Sequence, residues 1–176
     1  MPNAPSELAI RFCSPPDVPT ILYFIRSLAR YENLESDVVA DEAKLHATLF
    51  GPRPSAEVLI AELGGKPVGF ALFFTSYSTF LAQPGLYLED LFVEPEARGR
   101  GVGVALMSAL ARITRDRGWG RFEWAVLDWN KPSIDFYASL GAVPQSSWIV
   151  NRIVGAPLAA LAERWAGAIA APAAAR

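Results

Sequence analysis

The segment from Leu86 to Gly103, LYLEDLFVEPEARGRGVG, places an apolar strand, two acidic residues and a glycine-rich turn directly one after another. The apolar residues before Pro95 have the length and β-propensity of a buried strand. Glu89 and Asp90 interrupt this strand, and carboxylates inside a core strand are costly unless they are paired or functional. We therefore expect a central strand that carries chemistry and leads into a ligand-binding turn.

The turn, Arg98-Gly99-Arg100-Gly101-Val102-Gly103, opens a stretch whose apolar residues recur at helical spacing. The first amides of a helix lack internal partners, and the helix dipole is positive there, so anionic oxygens are favoured. The G-x-G-x-G spacing fits a dinucleotide-binding fingerprint poorly, and the absence of Gly-Lys-Ser/Thr excludes a nucleoside-triphosphate loop. These residues alone leave two interpretations open, a phosphate-binding loop and a glycine turn without a ligand.

A second block lies further along the chain and consists of Ala125-Val126-Leu127-Asp128-Trp129-Asn130, followed by Pro132, Ile134, Phe136-Tyr137 and Gly141-Ala142. Together with Arg98-x-x-Gly101-x-Gly103, this block resembles the general-control-related N-acetyltransferase (GNAT) superfamily. Within it the chain is similar to the diamine branch, the spermidine/spermine and thialysine N-acetyltransferases. The residues that carry this closer resemblance are Tyr87-Leu88-Glu89-Asp90, Val126 to Asn130, Arg30-Tyr31-Glu32 and Trp148.

The resemblance runs from about Leu8 to Gly155 and implies an α/β (α+β) fold. That fold is a single domain, here residues 8–155, with a central mixed, mostly antiparallel sheet flanked by helices and splayed at the acetyl-CoA site. Residues 156–176 would then form a C-terminal helix and an alanine-rich tail, in which Pro172 breaks any continuing helix and the last residues fray.

The remaining patterns predict the other elements. An alternating strand from Leu8 to Phe12 precedes a helix from Val18 to Ala29, and Asp41 to Phe50 reads as a second helix. Gly64-Gly65 lies between two strand-like runs and predicts a hairpin. After the helix that ends at Gly118, we expect a strand at 121–126, a helix from about Pro132 to Leu140, a final strand from Trp148 to Val154, and a helix from Pro157 through Trp165.

The resemblance also implies acetyl-CoA as co-substrate, with main-chain groups of Leu91 and Val93 pairing with its pantetheine arm. The other residues that it assigns to the cofactor are Arg98, Gly99, Arg100, Gly101, Val102, Gly103, Asn130 and Ser133. Asn130 would also suit the N-cap of the following helix.

Acetyl transfer to an amine needs a base, because an ammonium has no lone pair. For a lysine-like amine, with a pKa of about 10.4, neutrality at pH 7 costs about 4.6 kcal/mol. His46 is isolated and reads as a surface residue, whereas the resemblance gives this role to Glu89, whose pKa would rise if it were partly buried. The alternative is a structural carboxylate. Asp90 should point to the opposite side of an undistorted strand and attract the cationic substrate or fix a loop.

The leaving thiolate needs an acid, and the resemblance places Tyr137 at that position. A tyrosine there also suits core packing with a satisfied hydroxyl, which is the alternative.

Tyr31, Glu32 and Trp148 match positions that the diamine branch uses around its amine. They would supply a counter-charge and aromatic faces for a cation, and the alternatives are a solvated helix end and a core aromatic. Two acidic residues of polyamine-acetylating members are replaced here by Ser78-Thr79-Phe80 and Ser146-Ser147. This loss favours a short amine, such as thialysine or a related amino acid, over a long polycation.

Composition limits the remaining possibilities. The net charge of −2 and the lack of a basic run disfavour nucleic-acid binding, and neither a signal peptide nor a membrane-spanning stretch is evident. The single cysteine, Cys13, excludes an intrachain disulfide or a zinc cluster and fits the cytoplasm. We expect no metal, and the resemblance adds a homodimer. The rival hypotheses are an acetyl-CoA sensor and an enzyme that acetylates a protein's lysine or N-terminus.

Overall fold

The structure is a computed structural model, and it describes residues 7–165 and 167–169. The chain divides into two compact units, Met1–Leu127 and Asp128–Arg176. Among the described residues, the first unit contains the β-sheet and three α-helices, and the second unit contains two further α-helices. The sequence predicts that the C-terminal tail frays. Residues 166 and 170–176 of this tail lie outside the described part of the chain.

The sheet has five strands in the order β1-β2-β3-β4-β5, so neighbours in space are also neighbours in sequence. The first four pair antiparallel, and β5 lies parallel to β4. Gly64 and Gly65, with φ of 58° and 74°, form the predicted hairpin between β2 and β3. The strands are β1 Leu8–Phe12, β2 Glu57–Leu63, β3 Lys66–Ser78, β4 Gln83–Val93 and β5 Phe122–Trp124. The predicted mixed, mostly antiparallel sheet is confirmed.

The helices begin and end where the sequence supplies caps. The Asp41 side chain accepts the amide of Lys44 at 2.8 Å, and Asn130 caps the fourth helix by accepting the amide of Ser133 at 3.3 Å. Gly118 follows the third helix with φ of 67°, as expected for a glycine stop. The α-helices are α1 Val18–Tyr31, α2 Glu42–Phe50, α3 Val102–Asp116, α4 Lys131–Ser139 and α5 Gly155–Ala162.

Aromatic rings join α1 to the sheet in the first unit. Phe24 of α1 stacks on Phe70 of β3, with ring centroids 5.5 Å apart, and lies 5.9 Å from Phe92 of β4. These rings are buried. Because each fully buried aromatic ring contributes several kcal/mol to folding, this cluster fixes the end of β4 against α1.

A partly buried ion pair fixes β1 against the start of α1. The Arg11 guanidinium donates to both carboxylate oxygens of Asp17 at 2.8 Å and to Glu62 of β2 at 2.8 Å. Asp17 also accepts the amide and hydroxyl of Ser14. The Arg11 guanidinium and these donors hold the pKa of the Asp17 carboxyl well below its usual range.

The expected final strand from Trp148 to Val154 is wrong. These residues form neither strand nor helix, and the Trp148 amide donates to the nearby Gln145 carbonyl at 3.1 Å. Their side chains are exposed, with Ile149 at 83%. β-branched residues favour a strand only where a neighbouring strand takes up their main-chain groups, and among the described residues none does so here.

Candidate functional site

The two acidic residues of β4 lie at a β-bulge. Leu72 of β3 pairs with Asp90 and Phe73 pairs with Leu88, so Glu89 has no residue opposite it. An extra residue of this kind shifts the alternation of a strand by one position. The prediction that Asp90 points to the opposite side from Glu89 holds only for a regular strand. Because the bulge lies at Glu89, the regular alternation does not apply to these two residues.

The bulge also determines which main-chain groups of β4 lie on its free edge. The Glu94 amide donates to Val68 of β3 at 2.9 Å, so by alternation Leu91 and Val93 direct their main-chain groups to the other edge. The parallel pairing with β5 ends at Leu88 and Trp124. No described strand therefore pairs with Leu91 and Val93 on that edge, which is the splayed geometry expected for the pantetheine arm.

The glycine-rich turn has the open backbone that an anion requires. Gly99 and Gly101 have φ of 71° and 82°, and a Cβ at either position would meet no atom within 4 Å. Gly101 is the N-cap of α3 and no described side chain caps this helix, whose first internal bond runs from Ala105 to Gly101. The amides of Val102 and Gly103 are thus available. A pyrophosphate fits this turn both sterically and electrostatically.

Arg98 connects this turn to the end of α1. Its guanidinium carbon lies 5.2 Å from the ring centroid of Tyr31 and 6.0 Å from that of Phe92. Its Nε–H donates to the carbonyl of Val93 at 3.0 Å. No pattern in the sequence predicts the contact between Arg98 and Tyr31, because the two residues belong to motifs far apart in the chain. Arg98 and Arg100 are both exposed, and no contact of Arg100 with an aromatic ring is found among the described residues.

Three carboxylates gather beside the bulge, on Glu32, Glu89 and Asp90. Burial raises the pKa of Asp90 to about 6, and the negative charges of Glu89 and Glu32 act in the same direction. Burial also raises the pKa of Glu32, which follows the last residue of α1. A cluster of carboxylates, two of them half-buried, attracts a cation, because a positive charge relieves both their desolvation and their mutual repulsion.

Glu89 differs from Asp90 in its exposure. The Glu89 side chain is exposed, whereas Asp90 is half-buried. The partial burial that we expect for a catalytic base at Glu89 is therefore found at Asp90 instead. Glu89 lies at the bulge, where its carboxylate is open to solvent.

The remaining predicted site residues belong to the second unit. Tyr137 lies on α4, half-buried, with its ring centroid 5.3 Å from that of Phe136. Asn130 is buried and caps α4, as predicted, through the amide of Ser133. Trp148 is 75% exposed, so the interpretation as a core aromatic is wrong for this residue.

No group of three or more His, Cys, Asp or Glu side chains among residues 7–165 and 167–169 lies close enough to hold a metal ion. Within the same part of the chain, no helix is long and apolar enough to span a membrane.

Comparison with known sequences finds acetyltransferases. The sequence profile of the acetyltransferase (GNAT) family matches residues 23–142. Thialysine N-epsilon-acetyltransferase of Sus scrofa is 39% identical over 145 residues, which cover 78% of this chain and 85% of that protein. L-ornithine N5-acetyltransferase of Arabidopsis thaliana is 32% identical over 197 residues, covering 86% of both chains.

Comparison with solved structures finds proteins of the same fold. An integron cassette protein from the mobile metagenome of V. cholerae superposes with a TM-score of 0.76 at 26% identity. The match covers 90% of this chain and 99% of that one.

Proposed function

This chain belongs to the acetyltransferase (GNAT) family and is an N-acetyltransferase, and on that premise we propose that its acceptor is a primary amine of a small cationic molecule. The acetyl group would pass directly from acetyl-CoA to the amine in a ternary complex. The observation that carries the proposal is the cluster of Glu32, Glu89 and Asp90 beside the free edge of β4, in which Glu32 and Asp90 are half-buried.

Acetyl-CoA would supply the acetyl group as a thioester. The turn from Arg98 to Gly103 would hold its pyrophosphate through main-chain amides, as the open glycines and the uncapped helix start allow. Leu91 and Val93 would pair with the pantetheine arm, and Asn130 and Ser133 complete the proposed set.

We assign proton removal from the amine to Glu89, either directly or through a water, and protonation of the thiolate to Tyr137. The exposure of Glu89 supports a route through water. Asp90 and Glu32 would hold the substrate as counter-charges, and Tyr31 and Trp148 would contribute aromatic faces to the cation.

The substrate that we favour is thialysine or a related amino acid with a terminal amine. Two relatives are named for thialysine and for L-ornithine. The serines at 78, 146 and 147, in place of carboxylates, leave fewer counter-charges for the remote ammonium groups of a polyamine.

The proposal includes a homodimer in the cytoplasm, with residues 8–155 as the acetyltransferase domain and 156–176 as a C-terminal helix and tail. Support for a second copy comes from exposed apolar side chains of the second unit, where Trp148, Ile149 and Val150 are 75%, 83% and 80% exposed. Contiguous exposed apolar residues are typical of interaction surfaces.

The experiment that tests the proposed function is thiol release from acetyl-CoA, at pH 7 and pH 9, with each of several amines supplied in turn. Thialysine, lysine, ornithine, putrescine, spermidine and a lysine-containing peptide form the panel. We expect turnover with the short amino acids and little with spermidine. Glu89→Gln should lower kcat by about tenfold to a hundredfold, and the loss should shrink at pH 9, where more of the amine is already neutral.

Tyr137→Phe is the matched test of the acid, since only the hydroxyl is removed. Full kcat in this variant would exclude Tyr137 from the mechanism. Turnover on the peptide alone would replace the small amine by a protein substrate, and tight acetyl-CoA binding without any turnover would point to a sensor.

A further inference from the structure

We infer that Tyr31 is a positioning residue for the acetyl-CoA loop, because its ring holds the Arg98 guanidinium in place for the pyrophosphate. The inference rests on the proposed function, since it assumes that the turn from Arg98 to Gly103 binds acetyl-CoA. It adds a second role to a residue so far assigned only to the amine.

The contacts of Arg98 restrain its side chain at several points. Tyr31 and Phe92 flank the guanidinium carbon at 5.2 Å and 6.0 Å from their ring centroids, and the Nε–H donates to Val93 at 3.0 Å. Phe92 is itself buried and packed against Phe24. The charged head of an exposed arginine is therefore held against rings that belong to α1 and to the core.

The donors that remain on Arg98 suit an anion. Its terminal nitrogens have no hydrogen-bond or ion-pair partner among the described residues, so the N–H groups not bonded to Val93 are available. A guanidinium with free terminal N–H groups can donate two parallel bonds to a phosphate. Gly99 follows directly and leaves open space beside the backbone.

Restraining this side chain before binding lowers the entropy cost of the complex. An arginine that is free to rotate must lose its rotamer freedom when it grips a phosphate. A cation–π contact at an exposed site contributes about 0.5–1 kcal/mol, which corresponds to about a two- to fivefold change in affinity. The contact also links the cofactor loop to Glu32, the residue after Tyr31, and so to the proposed amine site.

The test is the affinity for CoA, measured by isothermal titration calorimetry with no amine present. Tyr31→Leu removes the aromatic face and should weaken CoA binding about two- to fivefold. Tyr31→Phe keeps the face and should retain most of the affinity. Arg98→Ala, alone and combined with Tyr31→Leu, completes a double-mutant cycle. The double variant should lose less CoA-binding free energy than the sum of the losses in the two single variants.

A donor without the pyrophosphate separates positioning from a general structural effect. With S-acetylpantetheine as donor, Tyr31→Leu should change the KM for the donor much less than it does with acetyl-CoA. Equal losses with both donors would overturn the inference, because they would indicate damage to the fold or to the amine site.

The remaining outcomes distinguish this inference from the proposed function. Unchanged CoA affinity in Tyr31→Leu, with a raised KM for the amine, would overturn the inference and leave the proposed function in place. Failure of the wild-type protein to bind CoA would overturn the proposed function and the inference together.

Discussion

At the scale of single residues, the carboxylate of Asp90, to which we assign substrate binding, is kept at a cost in stability. Its half-buried carboxylate has a pKa of about 6, raised by burial and by the charges of Glu89 and Glu32. The folded protein therefore binds a proton at Asp90 more tightly than the unfolded chain does. The cationic substrate that we propose would relieve, on binding, the repulsion among these carboxylates that folding imposes.

Replacing Asp90 by Asn should stabilise the protein at pH 7. Folding raises the pKa of the Asp90 carboxyl. Its ionisation therefore lowers the free energy of unfolding as the pH rises from about 4 to about 6. The gain at pH 7 should reach up to about 3 kcal/mol and vanish at about pH 3, where the Asp90 carboxyl is protonated in both the folded and the unfolded state. Urea unfolding at the two pH values measures it.

The matched control is Glu89→Gln, which removes an exposed carboxylate from the same bulge and should change stability less. Loss of stability in Asp90→Asn at pH 7 would contradict the interpretation, since it would mean that the ionised carboxylate is held by favourable contacts.

The sequence identified Glu89 and Asp90 as unusual but could not show which one is buried. That depends on the bulge opposite Leu72 and Phe73. Neither glycine nor proline lies beside the bulge to signal it, and a regular alternation fits the printed residues equally well. The Arg98–Tyr31 contact is equally invisible, because it joins distant parts of the chain through tertiary packing.

At the scale of elements, β1 and α1 are joined by an ion pair rather than by apolar packing alone. Asp17 is buried, and Arg11 meets both of its oxygens and Glu62 of β2. This pairing fixes the entry of the helix whose other end carries Tyr31.

Asp17→Asn should destabilise the protein by about 2 kcal/mol at pH 7, since a charged hydrogen-bonded pair is replaced by a neutral one. Folding lowers the pKa of the Asp17 carboxyl. Its contribution to stability is therefore present above the pKa of the unfolded chain, about 3.9, and declines as the pH falls below that value. Urea unfolding from pH 7 down to pH 3 should show the difference from wild type shrinking.

Asp41→Asn offers the comparison, because that exposed N-cap keeps its function as asparagine and should change stability little at either pH. A deficit in Asp17→Asn that stays constant between pH 7 and pH 3 would refute the ionic explanation.

The elements themselves were largely predictable. Apolar periodicity located the helices, and Gly64-Gly65 located the hairpin. The strand at 148–154 was wrong because local β-propensity does not reveal whether a neighbouring strand exists. The strand expected at 121–126 is shorter, Phe122–Trp124, since only these residues pair with β4.

At the scale of the whole molecule, the second unit exposes apolar residues that a folded protein usually covers. Val143, Ile149 and Val150 are 75%, 83% and 80% exposed. Covering them with a second copy would remove this surface from water.

Sedimentation equilibrium should therefore find twice the monomer mass at micromolar concentration. The double substitution Ile149→Asp with Val150→Asn should weaken the dimer by about tenfold or more, because charged and polar groups would be desolvated at the contact. Arg112→Glu, an exposed position on α3 in the first unit, changes the charge outside this segment and should leave the mass unchanged. A wild-type protein that remains monomeric at high concentration would exclude the homodimer.

The strand order also bears on how the protein is made. Because β1 to β5 lie in the sheet in the order of synthesis, each new strand docks on the edge left by the one before it. The β2–β3–β4 meander contains short-range pairings that form quickly, and it is complete before the glycine-rich turn is translated. The glycine-rich turn is thus added to a chain in which the first four strands of the sheet have already been synthesised.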